Sequence, residues 1–461
     1  MTKTLTRTLT LAALITAVGC GDNPRGDDEV GNDAPDTGVT ADADADATAE
    51  AGSESAGGES ASDSTVGDST AGEGDSTGDS TGDGDSGPGT KFDLGVVPDT
   101  GFMNCQGGGN GNPDFSYLWA ANSEQGTISK IDTATVTEVG RYIVRPDSAG
   151  SPSRTSVSLS GHVAVANRSG GVTKIYANSD LCQESNGTPG IQTSNSAAFL
   201  PWGEEECIAW YHPFGYASQR PVAWGQGVFN QGTCQYDDEE LWTSGNNQGG
   251  SLDIIVLDGD DGSIKEMIAV PTGGNNLNSD FYGIYGGAVD GDGNFWGSQL
   301  GSTGKLLKVT RSDMSYEVIQ PPQVGAHWYG MTVDSDGMVW LCSDTAARYD
   351  PMTQSWANAQ VGGSSGCMAD ASENGLLWMA AWNQVVGVDR ETLQVAKTCP
   401  VEAYGISIDF EGYVWGVAFG SAANKIDPET CQVWTYNGLV GAYTYSDMTG
   451  YALSNVGTPS G

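Results

Sequence analysis

The sequence predicts an all-β protein, a seven-bladed β-propeller closed by its own C-terminal strand. Two repeated turns and one strand pattern predict it. The first turn, Asp-x-x-Gly-x-x-Trp, recurs as Asp290-Gly-Asp-Gly-Asn-Phe-Trp296, Asp334-Ser-Asp-Gly-Met-Val-Trp340 and Asp409-Phe-Glu-Gly-Tyr-Val-Trp415, with a looser copy from Asp370 through Gly375 to Trp378. Successive tryptophans stand about 40 residues apart, the repeat length of a four-stranded blade. The second turn, Asp-x-x-Thr, follows at a fixed delay, at Asp132 to Thr135, Asp350 to Thr353, Asp389 to Thr392 and Asp427 to Thr430. Asp at the head of a turn accepts from the backbone ahead of it, and Pro after it presets φ. The first turn is therefore expected between strands one and two of each blade, and the second between strands three and four. Short runs of period two, such as Met338-Val-Trp-Leu-Cys342 and Tyr413-Val-Trp-Gly-Val417, supply the strands.

Ahead of the blades lie two segments of another kind. Residues 1–19 read as a signal peptide: Lys3 and Arg7 precede a short apolar run, Leu9 to Val18, too short to span a bilayer. Ala17-Val18-Gly19-Cys20 resembles a bacterial lipobox, so Cys20 is expected to carry lipid and tie the chain to a membrane. By the same resemblance, Gly21 after the cysteine implies the outer membrane, with the protein facing the periplasm or the cell surface. Residues 20–92 follow as the lipid-bearing cysteine and a linker, in which the composition from Gly21 to about Thr90 falls to Asp, Glu, Gly, Ser, Thr and Ala, with Gly-Asp-Ser-Thr at 67–70, 74–77 and 78–81. Such a stretch cannot bury enough apolar area to offset its ordering entropy, and is expected to be a disordered acidic linker. Its end-to-end reach is on the order of 50 Å.

Residues 93–461 form the propeller domain. The chain carries 59 acidic against 19 basic residues, a formal charge of −40, which excludes nucleic acid as a partner because phosphate binding needs a basic face. Blade 1 carries Trp119, blade 2 has Ala164 in place of the tryptophan, blade 3 carries Trp242, and blades 4 to 7 carry Trp296, Trp340, Trp378 and Trp415. An insertion near 180–218, holding Cys182, Trp202, Cys207 and Trp210, is expected between blades 2 and 3. Blade 1 lacks a first strand of its own. Tyr445-Ser-Asp-Met-Thr-Gly450 matches Tyr329-Gly-Met-Thr-Val333, so the tail is expected to complete blade 1 and remove the open edges.

With Cys20 set aside, eight cysteines remain: Cys105, Cys182, Cys207, Cys234, Cys342, Cys367, Cys399 and Cys431. An even set without Cys-x-x-Cys in an exported chain points to disulfides. Spacing does not fix the pairing. Cys342–Cys367 and Cys399–Cys431 are the expected inter-blade bridges, and Cys207–Cys234 the expected bridge within the insertion.

The pattern Gly-x-x-x-Asp-x-x-Gly-x-x-Trp, at Gly330 to Trp340 and Gly405 to Trp415, resembles the streptogramin (virginiamycin B) lyase-like propellers and is similar to NHL-type repeats. The resemblance spans most of 115–450 and implies the fold. It also implies a magnesium-dependent elimination that opens a cyclic depsipeptide, using histidines and a Glu-x-His element. This chain has His162, His212 and His327, dispersed, and no Glu-x-His. The lyase catalytic residues have no counterparts here.

Candidate ligand-binding residues lie where the innermost strands begin: Arg154, Arg220, Tyr282, Tyr329, Tyr404 and Asp447. Arginine's planar fork suits carboxylate or phosphate, and tyrosine offers a flat apolar face with a hydroxyl, so an anionic or carbohydrate-like molecule would fit. The alternative is that the arginines pair with aspartates such as Asp447 and the tyrosines fill space. His327 is the candidate base. Asp290, Asp292 and Asn294 alternate oxygens as calcium or magnesium sites do, but lack the rest of a calcium loop, and turn chemistry also explains them. The reading is a lipid-anchored propeller binding a small molecule, glycan or protein at one face. A metal-dependent lyase- or lactonase-like enzyme and a structural envelope protein are the alternatives.

Overall fold

The computed structural model describes residues 116–457 apart from residue 234. The signal peptide, Cys20, the linker, Cys105 and Cys234 lie outside the described residues. Among those described, no helix is long and apolar enough to cross a membrane.

Seven sheets stand side by side as seven blades. Blades 4 to 7 are plain antiparallel meanders. Blade 5, for example, runs Gly330–Val333, Val339–Cys342, Thr345–Asp350 and Ser355–Gln360. The two turns fall where the sequence put them, and their chemistry explains the repeat. Asp334 accepts the backbone N–H of Asp336 and of Met338 on one oxygen, each at 2.9 Å, and the Trp340 indole N–H on the other at 2.8 Å. Asp290 and Asp409 do the same for Trp296 and Trp415. Gly293, Gly337 and Gly412 take the positive φ that closes each turn. One carboxylate thus fixes both the turn and the side chain that packs on the next blade.

That packing builds the ring. Seven buried apolar clusters occupy the seven blade-to-blade seams. Trp119, Trp242, Trp296, Trp340, Trp378 and Trp415 each anchor one of them, and each is 2% exposed or less. By area, each contributes on the order of 4–6 kcal/mol of transfer free energy as an upper bound. The seam between blades 2 and 3 shows what replaces a missing anchor. Where blade 2 has Ala164, Trp224 of blade 3 and Trp210 of blade 2 fill the space.

A second device, unseen in the sequence reading, reinforces the seams. Opposite the blade tryptophan or its substitute on the third strand stands a cation: Lys130, Lys174, Lys308, Arg348 or Lys425. Four of these reach the neighbouring backbone, as Lys130 donates to the Ala177 carbonyl, Lys174 to Gly259, Arg348 to Arg390 and Lys425 to Thr133. A cation donating to a carbonyl across a dry seam is worth more than the same bond in water.

The tail closes the ring as expected. Trp119 N–H donates to Met448 O, Ser123 N–H to Gly441 O and Tyr443 N–H to Ala121 O, so residues 441–448 line the free edge of blade 1. Leu439, Ala442 and Met448 pack with Leu118 of blade 1 and Trp415 of blade 7. One detail was unforeseen: Tyr445–Ser446 also pairs in parallel with Arg154–Thr155 of blade 2. The chain then forms the short helix Tyr451–Asn455. Tyr451 donates its hydroxyl to Asp370, and Gly457 bonds Gly291 and the Asp334 carbonyl, so the tail is pinned to blades 4, 5 and 6 as well.

Two expectations are corrected. The insertion lies inside blade 2, between its third strand Val172–Ile175 and its fourth strand Ile208–His212, so Trp210 belongs to the blade. Cys207 is bonded to Cys182 and not to Cys234. The reason is local: Tyr176 N–H donates to Cys207 O, which brings the two ends of the insertion together and Cys182 within 4.6 Å (Cα–Cα) of Cys207. The inter-blade bridges Cys342–Cys367 and Cys399–Cys431 form as expected.

Candidate binding face

All the innermost strands begin at one end of the central channel, and there the repeat places a tyrosine, or in blade 6 a serine, before a glycine: Tyr285-Gly286, Tyr329-Gly330, Ser365-Gly366 and Tyr404-Gly405. The glycine is required by close approach. A Cβ on Gly330 would meet Ser365 O at 2.5 Å, one on Gly366 would meet Tyr404 O at 2.8 Å, and one on Gly405 would meet Thr444 O at 2.1 Å. The strands therefore crowd the axis and turn the preceding side chains onto one another.

The result is a buried aromatic cluster of Tyr285, Tyr329, Tyr404 and Tyr445, with Tyr282, Leu300 and Tyr443 packed on it. The Tyr285 hydroxyl donates to Tyr329 at 2.8 Å and shares a hydrogen bond with Tyr443 at 2.7 Å; Tyr329 and Tyr443 are bonded as well. Burial pushes Tyr285, Tyr329 and Tyr404 well above the usual phenol range, so all three are neutral at physiological pH. Phe419, 47% exposed, packs on Tyr404 at 3.9 Å between centroids and stacks on Tyr443 at 5.6 Å. A continuous aromatic surface runs from solvent into the channel.

Three arginines lie on these rings. Arg154 is fully buried over Tyr445 and 4.7 Å from the Tyr285 centroid, and donates Nε and Nη2 to the Tyr285 carbonyl at 2.9 and 2.7 Å. Burial lowers its pKa to about 10, which leaves it charged at neutral pH. Arg220 stands 4.6 Å from the Tyr282 centroid and 4.8 Å from that of Tyr285, and Arg168 stands 4.7 Å from that of Tyr443.

Of the residues singled out in the sequence, Arg154, Arg220, Tyr282, Tyr329 and Tyr404 come together here. Asp447 does not join them. It accepts the N–H groups of Thr449, Gly450 and Leu453 ahead of the C-terminal helix. It lines a small cavity among later residues of the inner strands, such as Ser156, Val289 and Val333. Arg154 is thus partnered by a carbonyl and not by that aspartate. Tyr282 is peripheral, half-buried against Phe281 and Tyr285, and Tyr285 holds the repeat position. Tyr285, Tyr443, Arg168 and Phe419 were not among the sequence candidates, and Tyr445 was read only as part of the closing strand. The Tyr-Gly pair was a usable signal for the first, but Tyr282-Gly283 three residues earlier carries the same pair.

His327 is exposed in the loop before Trp328. His162 is buried, accepts the Ala177 N–H on Nδ1, and burial lowers its pKa to about 3. His212 shares a hydrogen bond with the Gly262 carbonyl. The three occupy separate places. Asp290 spends both oxygens on its own turn, including the Asn294 amide, and Asp292 points to solvent. Among the described residues, no three His, Cys, Asp or Glu side chains gather as a metal site.

Fold and site define a seven-bladed propeller with an arginine- and tyrosine-lined channel mouth. No family model matches the chain, and no curated protein does. Solved structures are similar at the level of fold. A streptogramin B lyase shares 14% identity at a TM-score of 0.45, over 70% of this chain and 89% of that one. Virginiamycin B lyase from Staphylococcus aureus shares 13% at 0.42, over 64% and 89%. The WD40 repeats of RRP9 share 8% at 0.47, over 71% and 89%. All three likenesses fall below a TM-score of 0.5 and carry no argument about this chain, whose propeller fold rests on its own sheets.

Proposed function

We propose that this chain is an exported, lipid-anchored envelope protein whose propeller binds a small molecule, glycan or protein at the tyrosine- and arginine-lined face. The observation that carries the binding reading is Phe419, half out in solvent yet packed on Tyr404 and Tyr443, which lead to the buried phenols. Flat apolar rings backed by hydroxyls and guanidiniums are what a ligand with both apolar faces and polar groups requires. The anchor rests on the lipobox-like sequence ending at Cys20, and the acidic stretch to residue 92 would act as its spacer.

A ligand panel read by thermal shift tests the face. A compound that raises the wild-type Tm is expected to lose its effect in Phe419→Ala, whose own Tm stays within about 2 °C because the ring is half-exposed. Ligands that stabilise both proteins equally bind elsewhere and defeat the reading. For the anchor, Cys20→Ser is expected to move the protein from the membrane pellet to the soluble fraction.

A further inference from the structure

We propose that the channel mouth is a receptor for a neutral oligosaccharide, whose sugar rings lie on Phe281, Trp382 and Phe419 and whose hydroxyls meet the amide and hydroxyl side chains set between them. This rests on the binding reading above and names the ligand class of that face.

The two ends of the propeller differ in composition. Innermost strands start at the mouth, so the turns between second and third strands return to it, while the Asp-x-x-Gly and Asp-x-x-Thr turns fall at the far end. The mouth-side turns of blades 3, 4, 6 and 7 read Asn246-Asn-Gln-Gly-Gly250, Gln299-Leu-Gly-Ser-Thr-Gly304, Ala381-Trp-Asn-Gln384 and Ala418-Phe-Gly-Ser-Ala422. None holds a charge, in a chain of formal charge −40. The loops that lead into blades 5 and 6, at 320–329 and 361–366, hold no Asp, Glu, Lys or Arg either. The loop into blade 4 adds Asp280, which accepts from Gly283 N–H at 2.7 Å and from the Gln299 amide at 3.3 Å. The arginines of the mouth come from blades 2 and 3, and Arg154 and Arg220 are buried. What blades 4 to 7 offer a ligand is therefore chiefly amide and hydroxyl. Both groups donate and accept, as the hydroxyls of a sugar do.

Among these polar groups stand three aromatic rings in solvent. Phe281, Trp382 and Phe419 are 49%, 58% and 47% exposed. The Asn246 amide fixes the first of them, donating to the carbonyls of Asp280 and Phe281 at 2.7 and 2.9 Å. Trp382 stands on a two-residue hairpin whose flanks, Ala381 and Gln384, are paired, and Phe419 occupies the corresponding turn of blade 7. From Phe281 an unbroken path of ring contacts runs through Tyr282, Tyr285, Tyr329 and Tyr404 to Phe419, with centroids 3.9 to 5.7 Å apart at each step. The exposed rings are spaced among Gly, Asn, Gln and Ser and do not merge into the continuous apolar core that a protein partner needs. A sugar ring has an apolar C–H face and an edge of hydroxyls, so a flat aromatic ring beside an amide matches it on both counts. Rings on blades 4, 6 and 7 call for a ligand of several such units. The acidic chain repels a polyanion, which leaves the neutral glycan as the occupant.

The test uses the full mature chain and neutral β-1,4-glucan, α-1,4-glucan, β-1,4-xylan and chitin oligomers, from the monosaccharide to the hexasaccharide, read by isothermal titration calorimetry. At least one series is expected to bind, the hexasaccharide about tenfold or more tighter than the monosaccharide. Phe281→Ala and Trp382→Ala are each expected to weaken that binding about fivefold with Tm unchanged, because both rings are exposed. Trp434→Ala, an exposed ring on the outer strand of blade 7, is the control and is expected to leave the affinity as it was. The oligosaccharide inference is overturned if no series binds, if the monosaccharide matches the hexasaccharide, or if polygalacturonate binds more tightly than the neutral series. It is overturned as well if Trp434→Ala costs as much affinity as Trp382→Ala. In each of these cases the binding face itself still stands where a compound that is not a sugar stabilises wild type and not Phe419→Ala. An oligosaccharide whose binding survives Phe281→Ala, Trp382→Ala and Phe419→Ala alike binds elsewhere, and defeats both readings.

Discussion

Blades 4, 5 and 7 and blades 1 to 3 solve the same packing problem by different means. In the first group a single aspartate closes the turn and holds the tryptophan that enters the next seam, so local sequence and long-range packing are one unit. In the second group no such bond forms, and the Trp119 indole N–H has no hydrogen-bond partner. Blade 1 borrows its inner edge from the tail. Blade 2 carries an insertion stapled by Cys182–Cys207 and organised on two carboxylates, with Glu205 accepting from Ser194 and Cys207 and Glu206 from Ser185, Asn186 and Gln192. Blade 3 replaces the tight turn with the hairpin Val228–Asn230 and Gln235–Asp237. Arg154, Arg168 and Arg220 all come from blades 2 and 3, whereas the repeating blades supply Tyr285, Tyr329 and Tyr404. The repeat builds the scaffold and the aromatic lining; the departures from it carry the closure and the charge.

Removing the tail breaks the comparison at its largest. Without residues 440–461, blade 1 loses its edge partner, the seam between blades 7 and 1 loses Ala442 and Met448, and the cluster loses Tyr443 and Tyr445. No cooperative thermal transition is expected by near-ultraviolet circular dichroism. A truncated chain that melts sharply would show that the ring does not depend on the latch.

Next in size is the aspartate itself. Asp334→Ala removes the acceptor for two part-buried backbone N–H groups and one indole, and a partner of Arg390, and leaves the indole donor buried. A loss of about 3 kcal/mol in urea unfolding is expected. Asp370→Ala is the control from blade 6. Asp370 accepts from Ser372 N–H and the Tyr451 hydroxyl, while the Trp378 indole already has no partner. About half the loss is expected there, and equal losses would mean that the indole bond adds nothing.

How legible each part was follows from the same division. Seven blades and the closing tail could be read because the Asp turns and the Tyr445 match are side-chain signatures at fixed spacing. The insertion was misplaced because blade 2 has no Asp-x-x-Thr turn to mark where its fourth strand begins. Tyr282 stood in for Tyr285 because two Tyr-Gly pairs lie three residues apart and only the crowding at the axis tells them apart. The partner of Arg154 was out of reach altogether. A backbone carbonyl 131 residues away leaves no trace in residue types.

The smallest expected effect concerns two kinds of buried carboxylate. Asp334 is held by a turn and an indole, whereas Asp447, in the latch, is dominated by burial, which pushes its pKa up to about 6 despite the N–H groups of Gly450, Thr449 and Leu453. A carboxyl whose folded pKa lies above its unfolded value binds its proton more tightly when folded. Stability from Asp447 is therefore fully present below about pH 4 and is lost as pH rises through about 6. Its accessible surface faces a cavity of about 40 Å³, room for a water, so the desolvation is partial and the effect is on the order of 1–2 kcal/mol. Asp447→Asn removes the titration while keeping an acceptor for Gly450. The difference in unfolding free energy between wild type and Asp447→Asn is expected to change between pH 4 and 6 and to be flat on either side. Parallel profiles across that window would mean that the helix N–H groups, and not burial, set the state of Asp447, and the latch would then resemble the repeat after all.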